Sequence, residues 1–242
     1  MKAPASLKFD GTMNFVPSFS LDELEVAKDS WKRKRRGRFT ASDMHQLFTS
    51  KLEESTGKTA LGYIVEKVTE VTLTDDEFDN LPNLDVAAMN WGNMHEPYAV
   101  ELYEKTTHNQ VFSAKRLDTD EQEFFEVKGF DAGATPDGLV GDDGILEIKC
   151  PYKPSNHSFI LLNNTASDIK KNRHEYYIQM QTALWATGRK WCDFVSFDPR
   201  FAPKKQIVIV RIERDNDFIK LLETVVRKAE AKKKAFVELL SD

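Results

Sequence analysis

Apolar positions recur at helical spacing near both ends of the chain and at strand spacing in its middle. Residues 1–20 mix Pro, Ser, Gly and single aromatics without a period, and read as an irregular N-terminal arm. Ser20-Leu21-Asp22-Glu23 has the pattern of a capping box and opens a helix to about Trp31. Thr40-Ala41-Ser42-Asp43 offers hydroxyl caps ahead of Met44, Leu47 and Phe48, which predicts another helix start. Leu61, Ile64, Val65 and Val68 define a further amphipathic helix, and residues 75–85, acidic and Pro-containing, read as a surface loop. Residues 89–105 form a helix with Trp91, Met94, Tyr98 and Leu102 on one face, where Pro97 is tolerable only near the first turns or at a kink.

The period then changes. Residues 124–130 are rich in strand formers, and two short apolar runs, Leu139-Val140 and Ile145–Ile148, flank Gly141-Asp142-Asp143-Gly144. That spacing predicts a β-hairpin turning at Asp143-Gly144. Residues 176–187 return to helical spacing, 206–212 read as a strand, and the stripe from Phe218 to Leu239 makes a long closing helix. There is no internal repeat. The pattern as a whole predicts an α/β fold, a central mixed β-sheet flanked by helices, in one domain over residues 21–242 preceded by the arm.

Composition narrows the functional classes. With 40% hydrophobic and 30% charged residues among 242, this is ordinary globular usage, and no apolar run approaches the ~20 residues that cross a bilayer. The opening residues lack the apolar segment of a secretory signal, so a reducing cytoplasm is expected. Cys150 and Cys192 are too few for a disulfide framework or a cysteine-only metal site. The net charge of -5 argues against coating nucleic acid by overall charge, yet seven basic residues against Asp29 lie between Lys28 and Arg38. A solvated face, a localisation tag and a phosphate site all remain open for that run.

The chemistry concentrates in the hairpin. Pro136-Asp137 is followed, after nine residues, by Glu147-Ile148-Lys149. Strand alternation puts Glu147 and Lys149 on one face and Leu146 and Ile148 on the other, with Asp137 at the open end of the partner strand. Two converging carboxylates and the Ile148 backbone carbonyl make an oxygen-rich pocket suited to Mg²⁺ or Mn²⁺. Phosphodiester hydrolysis needs a positioned water and positive charge at the developing negative transition state. Lys149 can orient that water, with its ammonium pKa expected to fall beside cations. Glu-x-Lys alternation is also ordinary on a surface hairpin, and the motif alone does not choose. His45, His95, His108, His157 and His174 show no ligand spacing. Trp91, Trp185, Trp191, Tyr176 and Tyr177 read mainly as core, with base stacking as the lesser alternative.

Several ordered matches give the chain a family likeness. Trp31 to Arg35 leading into Thr40-Ala41-Ser42, Trp91-Gly92 with Glu96, Thr135-Pro136-Asp137-Gly138 and Leu146 to Pro151 follow in sequence. Tyr176, Gln179, Gln181 and Trp185, then Phe197-Asp198-Pro199-Arg200, complete the set. In these the chain resembles the PD-(D/E)xK nuclease superfamily, and within it the lambda exonuclease and YqaJ-like phage recombination nucleases. The resemblance implies a restriction-endonuclease-like fold and Mg²⁺, with Mn²⁺ as an alternative and two ions per site. It further implies Glu96 as an additional carboxylate near the metal, Gln179 as a helper beside Lys149, and Arg35, Ser42 and Thr40 around the 5′-phosphate of the degraded strand. The implied activity is 5′ to 3′ degradation of double-stranded DNA ends to mononucleotides, leaving a 3′ single strand for an annealing recombinase. A homotrimeric ring and the cytoplasm of a bacterial host, for a phage or prophage product, belong to the same expectation. The rivals are an endonuclease or repair nuclease of the superfamily and a non-catalytic DNA-binding scaffold.

Overall fold

The computed structural model describes residues 31–81, 86–112 and 123–241. The N-terminal arm and the capping box at Ser20 lie outside the described residues; residues 31–35 are helical. Strand β1 (Phe39–Thr40) follows, then a 3₁₀ turn (Met44–Leu47), α1 (Lys58–Thr72), α2 (Asp75–Asp79), α3 (Val86–Thr107) and β2 (Val111–Phe112). The middle of the chain gives β3 (Phe125–Glu126), β4 (Ala132–Ala134), β5 (Gly138–Val140) and β6 (Gly144–Lys149). Then come α4 (Pro154–Leu162), α5 (Ala166–Asn172), α6 (His174–Thr187), β7 (Trp191–Phe197), β8 (Ile207–Glu213) and α7 (Asn216–Ser241).

A five-stranded mixed sheet runs in the order β2-β5-β6-β7-β8, parallel only between β6 and β7. A smaller sheet, β1-β4-β3, stands beside it. The main sheet is buried on both faces. Ile145 and Phe194 enter a core with Ile178, Met180 and Leu184 of α6 and Leu222 and Val226 of α7. Leu146, Ile148, Val195 and Phe197 face Ala99, Val100 and Tyr103 of α3. The predicted mixed sheet between helices is therefore observed, and so is the hairpin, with Leu139 paired to Ile145, but Gly144 pairs with Val140 inside the strand and is not part of the turn expected at Asp143-Gly144. The turn is 141–143, with Gly141 at a positive φ that glycine adopts without strain.

Four local readings are corrected. Met44, Leu47 and Phe48 do not open a longer helix; a four-residue 3₁₀ turn is enough to bury Met44 and Leu47. Asp43 at its N-cap makes no capping bond, because its carboxylate accepts from Thr40, Ser42 and Gln46 instead. In the acidic stretch, residues 75–79 are helical under a Thr74 cap rather than a loop, and 82–85 lie outside the described residues. On α3 the buried positions are Ala99, Val100 and Tyr103, whereas Met94 is 63% exposed. Pro97 sits in mid-helix, away from the first turns, where it removes one backbone hydrogen bond.

The basic run is largely spent on helix ends. Lys32 donates to the carbonyls of Phe78 and Asp79, and Arg36 to those of Glu70 and Leu73. Arg33 pairs with Asp79, Arg36 with Asp75 and Arg38 with Glu126. These contacts satisfy terminal carbonyls of α1 and α2 and neutralise the acidic stretch.

Asp215 organises the start of α7. It accepts from the Phe218 N–H at 3.0 Å, the Tyr177 hydroxyl at 2.7 Å and the Lys170 ammonium at 2.9 Å. Burial opposes the carboxylate, but these three donors outweigh it and hold its pKa at about 2, below the ordinary 3.8. A depressed carboxylate stabilises the fold above its unfolded pKa and loses that contribution as pH falls towards its folded one. Asp215→Asn is expected to cost about 1–2 kcal/mol at pH 7, an allowance made for partial exposure. Urea titrations should show the difference shrinking between about pH 4 and pH 2.

Candidate active site

The hairpin brings the predicted carboxylates together. Asp137, just ahead of β5, donates its N–H to the Leu146 carbonyl at 3.0 Å, and its Oδ2 accepts from the Ile148 N–H at 2.6 Å. Glu147 lies mid-sheet opposite Phe194 of β7 and is 2% exposed. Its Oε1 accepts from Lys149 Nζ at 2.7 Å and from Gln179 Nε2 of α6 at 2.6 Å. Lys149 Nζ also lies 5.4 Å from the centre of the Tyr176 ring. Gln179, which no periodicity singled out, is thus in direct contact with the buried acid.

Glu96 enters from α3. Burial raises the Asp137 pKa well above its ordinary value, and the charges of Glu147 and Glu96 raise it further, against Lys149 and the Ile148 N–H. Glu96 and Asp137 also add to the effect of burial in raising the Cys150 thiol. The expectation that the Lys149 pKa falls is reversed. Burial does disfavour its ammonium, but the Glu147 and Asp137 carboxylates outweigh burial and raise it.

This donor set fits a hard divalent cation. Glu147 and Glu96 both act on Asp137, opposed by Lys149, so the groups acting on Asp137 bring more negative than positive charge to the end of the hairpin. Among the described residues, no three His, Cys, Asp or Glu side chains converge as a ready-made metal site. That is compatible with Mg²⁺, which keeps several waters and takes only one or two protein carboxylates. Asp137 and Glu147 could hold such an ion, and Glu96 is near enough for its charge to act on Asp137.

The second predicted group assembles separately. The Arg35 guanidinium stacks 4.1 Å over Trp31, and among the described residues it makes no ion pair. Burial lowers its pKa against the opposing charges of Asp43, Tyr63 and Glu70. Ser42 and Thr40 hydroxyls are 3.3 Å apart and both donate to Asp43. Asp43 was missed by sequence reasoning, and it means that both hydroxyls must turn before they can donate to a phosphate. Ser42 does not stand at the start of an α-helix, since only a 3₁₀ turn follows. Two links join this group to the carboxylates. Strand β1 pairs Thr40 with Gly133, just upstream of Asp137, and Trp31 Nε1 donates to Thr135 Oγ1 at 3.1 Å. No direct contact joins Arg35 or Ser42 to Asp137, Glu147 or Lys149.

His45 Nδ1 lies 3.1 Å from the Ser42 carbonyl, while two other histidines are engaged elsewhere. His157 is fully buried between Ser196 Oγ and the Lys205 carbonyl, each at 2.8 Å, and His95 stacks on Trp91.

Residues 30–190 match the YqaJ-like viral recombinase domain, well over half of the chain. The chain belongs to this family. Its solved structural relatives include an alkaline exonuclease, LHK-Exo, from Laribacter hongkongensis, with 31% identity and a TM-score of 0.71. The match covers 88% of this chain and 96% of that one. The same enzyme in complex with dAMP matches at 31% identity and TM-score 0.71, over 88% and 95% of the two chains. A phage-related exonuclease from Haemophilus somnus 129PT, at 20% identity and TM-score 0.61 over 84% and 95%, shares the fold. No curated protein sequence matches the chain. The YqaJ-like match contains every candidate site residue from Arg35 to Gln179, while β7, β8 and α7 lie beyond it. The fold is restriction-endonuclease-like, as the family resemblance implied. Among the described residues no helix is long and apolar enough to cross a membrane.

Proposed function

We propose that this chain is a divalent-metal-dependent exonuclease that degrades double-stranded DNA from 5′ ends and leaves 3′ single strands for recombination by annealing. The observation that carries the reading is the buried Glu147 carboxylate, held by Lys149 and Gln179 beside Asp137. A bound Mg²⁺ or Mn²⁺, as one or two ions, supplies an activated water and stabilises charge on the phosphate. Asp137 and Glu147 hold the metal and Glu96 adds negative charge that strengthens its binding. Gln179 and Lys149 fix the orientation of Glu147, and Lys149 places a positive charge where the phosphoryl oxygens gain negative charge. The Arg35 guanidinium, which makes no ion pair among the described residues, suits a terminal 5′-phosphate, with Ser42 and Thr40 held on the Asp43 whose charge acts on it. The relatives support the activity by analogy: both are exonucleases, and one binds dAMP, a mononucleotide of the kind such cutting releases. A single nuclease domain over residues 21–242, a homotrimer around DNA and a separate annealing protein complete the proposal, as does a cytoplasmic location.

The test is incubation with Mg²⁺ and end-labelled linear duplex, with and without a 5′-phosphate, beside a closed circular duplex and Asp137→Ala. Loss of 5′-phosphorylated linear DNA to mononucleotides, with the circle intact and the variant inactive, is the expected result. A cut circle would indicate an endonuclease, and no cleavage with either metal would leave a DNA-binding scaffold. In the same assay Arg35→Ala is expected to lower kcat/KM on 5′-phosphorylated ends by about 10- to 100-fold, the worth of a charge-assisted contact. Ends bearing a 5′-hydroxyl should be little changed; equal losses on both would remove Arg35 from phosphate recognition.

A further inference from the structure

Arg173 caps α6 from just outside it, and its guanidinium lies near Tyr176, which shares one face of the helix with Gln179 three residues on. Gln179 touches the buried Glu147 at the inner end of that face. Tyr176 comes next, with Lys149 Nζ 5.4 Å and the Arg173 guanidinium 5.9 Å from the same ring. At about 1.5 Å per residue, Arg173 stands roughly 9 Å along the helix from Gln179, at the outer edge of the catalytic centre.

Its bonding is poor for an arginine of this fold. Arg200 and Arg211 each engage a buried aspartate through two nitrogens at 2.7–2.9 Å. Arg173 instead has one 3.3 Å bond from Nη2 to the neutral Asn156 side chain and a long 3.6 Å pairing with Glu175. Its Nε is buried without a hydrogen-bond partner, while the guanidinium plane lies 4.7 Å over Phe159. An unsatisfied buried donor costs stability, on the order of 1–3 kcal/mol. Packing on Phe159 explains the stem and the ring face but, among the described residues, leaves Nε without an acceptor and the two terminal nitrogens with long, weak ones. Beside a catalytic lysine that faces a phosphate, the acceptor with matching chemistry is a second phosphate of the same strand.

We propose that Arg173 binds a phosphodiester group flanking the one that is cut, and so positions the substrate strand along α6. The proposal rests on the nuclease reading above. It adds a substrate-binding residue of the backbone-positioning kind, which contributes affinity and register without reading base sequence.

The experiment measures degradation of 5′-phosphorylated duplexes that carry one neutral methylphosphonate at the first, second or third linkage. Arg173→Gln is expected to lower kcat/KM about tenfold, mainly through KM. The dependence of log affinity on log salt should become shallower by about 1. In the wild type, neutralising one particular linkage should give a similar loss, and in Arg173→Gln that linkage should cost nothing more. Equal penalties in both proteins at all three linkages would overturn the assignment. If Arg173→Gln melts early, Arg173→Lys makes the same comparison, since it keeps the stem and the charge but not the fork. It should retain the salt slope and lose part of the affinity. A wild type that cuts no DNA removes the nuclease reading itself, whereas normal cutting with indistinguishable variants removes only the role of Arg173.

Discussion

Asp137→Asn is expected to reduce Mg²⁺-supported DNA cleavage by at least about 10³-fold while making the metal-free protein more stable at neutral and alkaline pH. The first effect follows from removing a metal-holding carboxylate whose charge helps to bring a cation to the phosphate. The second follows from the electrostatics of the carboxylate cluster. Burial, then Glu147 and Glu96, raise the Asp137 pKa well above 3.8. For a group whose folded pKa is raised, the stabilising contribution is fully present below the unfolded pKa and is lost as pH rises through the folded one. An amide carries no such charge and keeps an oxygen for the Ile148 N–H, which Asp137 accepts at 2.6 Å. Melting curves in EDTA should therefore show the wild type losing stability with rising pH over a range where Asp137→Asn does not. Added Mg²⁺ should raise the wild-type Tm and leave the variant nearly unmoved, because only the wild type binds it well. A variant less stable than wild type in EDTA at pH 8 would show that Asp137 is structural rather than held for a cation.

The hairpin was legible in sequence because its side chains obey a strict two-residue period, and its observed register, Leu139 to Ile145, keeps that alternation. Strand β7 was not legible in the same way. Cys192 and Phe194 face one core and Val195 and Phe197 the other, so a strand buried on both sides leaves no polar alternation to read. Gln179 and Glu96 lie on helices remote in sequence from the hairpin, and a lone polar residue in a helical pattern carries no sign of the carboxylate it meets. Only the ordered family likeness selected them, and α6 then places Gln179 on Glu147. The basic run was left undecided for a related reason. Composition gives charge but not its partners, and Lys32, Arg33 and Arg36 are absorbed by the ends of α1 and α2. Arg35, in the same run, stacks over Trp31 and makes no ion pair among the described residues.

Lys149→Met is expected to lower kcat by about 10²- to 10⁴-fold, the range associated with losing a positioned charge or proton-transfer group at a reacting centre. KM should change far less, because Arg35 and Arg173 are assigned the phosphates that hold the DNA. The stability effect should be opposite in sign to that of Asp137→Asn. Lys149 is 26% exposed and pairs with a Glu147 side chain that is only 3% exposed, so its removal leaves a nearly buried carboxylate with Gln179 alone. Breaking a fully buried pair costs about 3–5 kcal/mol, and partial exposure of the lysine brings the expectation here to about 2–3 kcal/mol in EDTA. Mg²⁺ beside Glu147 should restore part of that loss, by supplying the missing positive charge. Denaturant titrations with and without metal separate the two contributions, and single-turnover cleavage isolates the chemical step from DNA binding. If Lys149→Met and Asp137→Asn shifted metal-free stability in the same direction, the cluster would not be the charge-deficient site from which both expectations are derived.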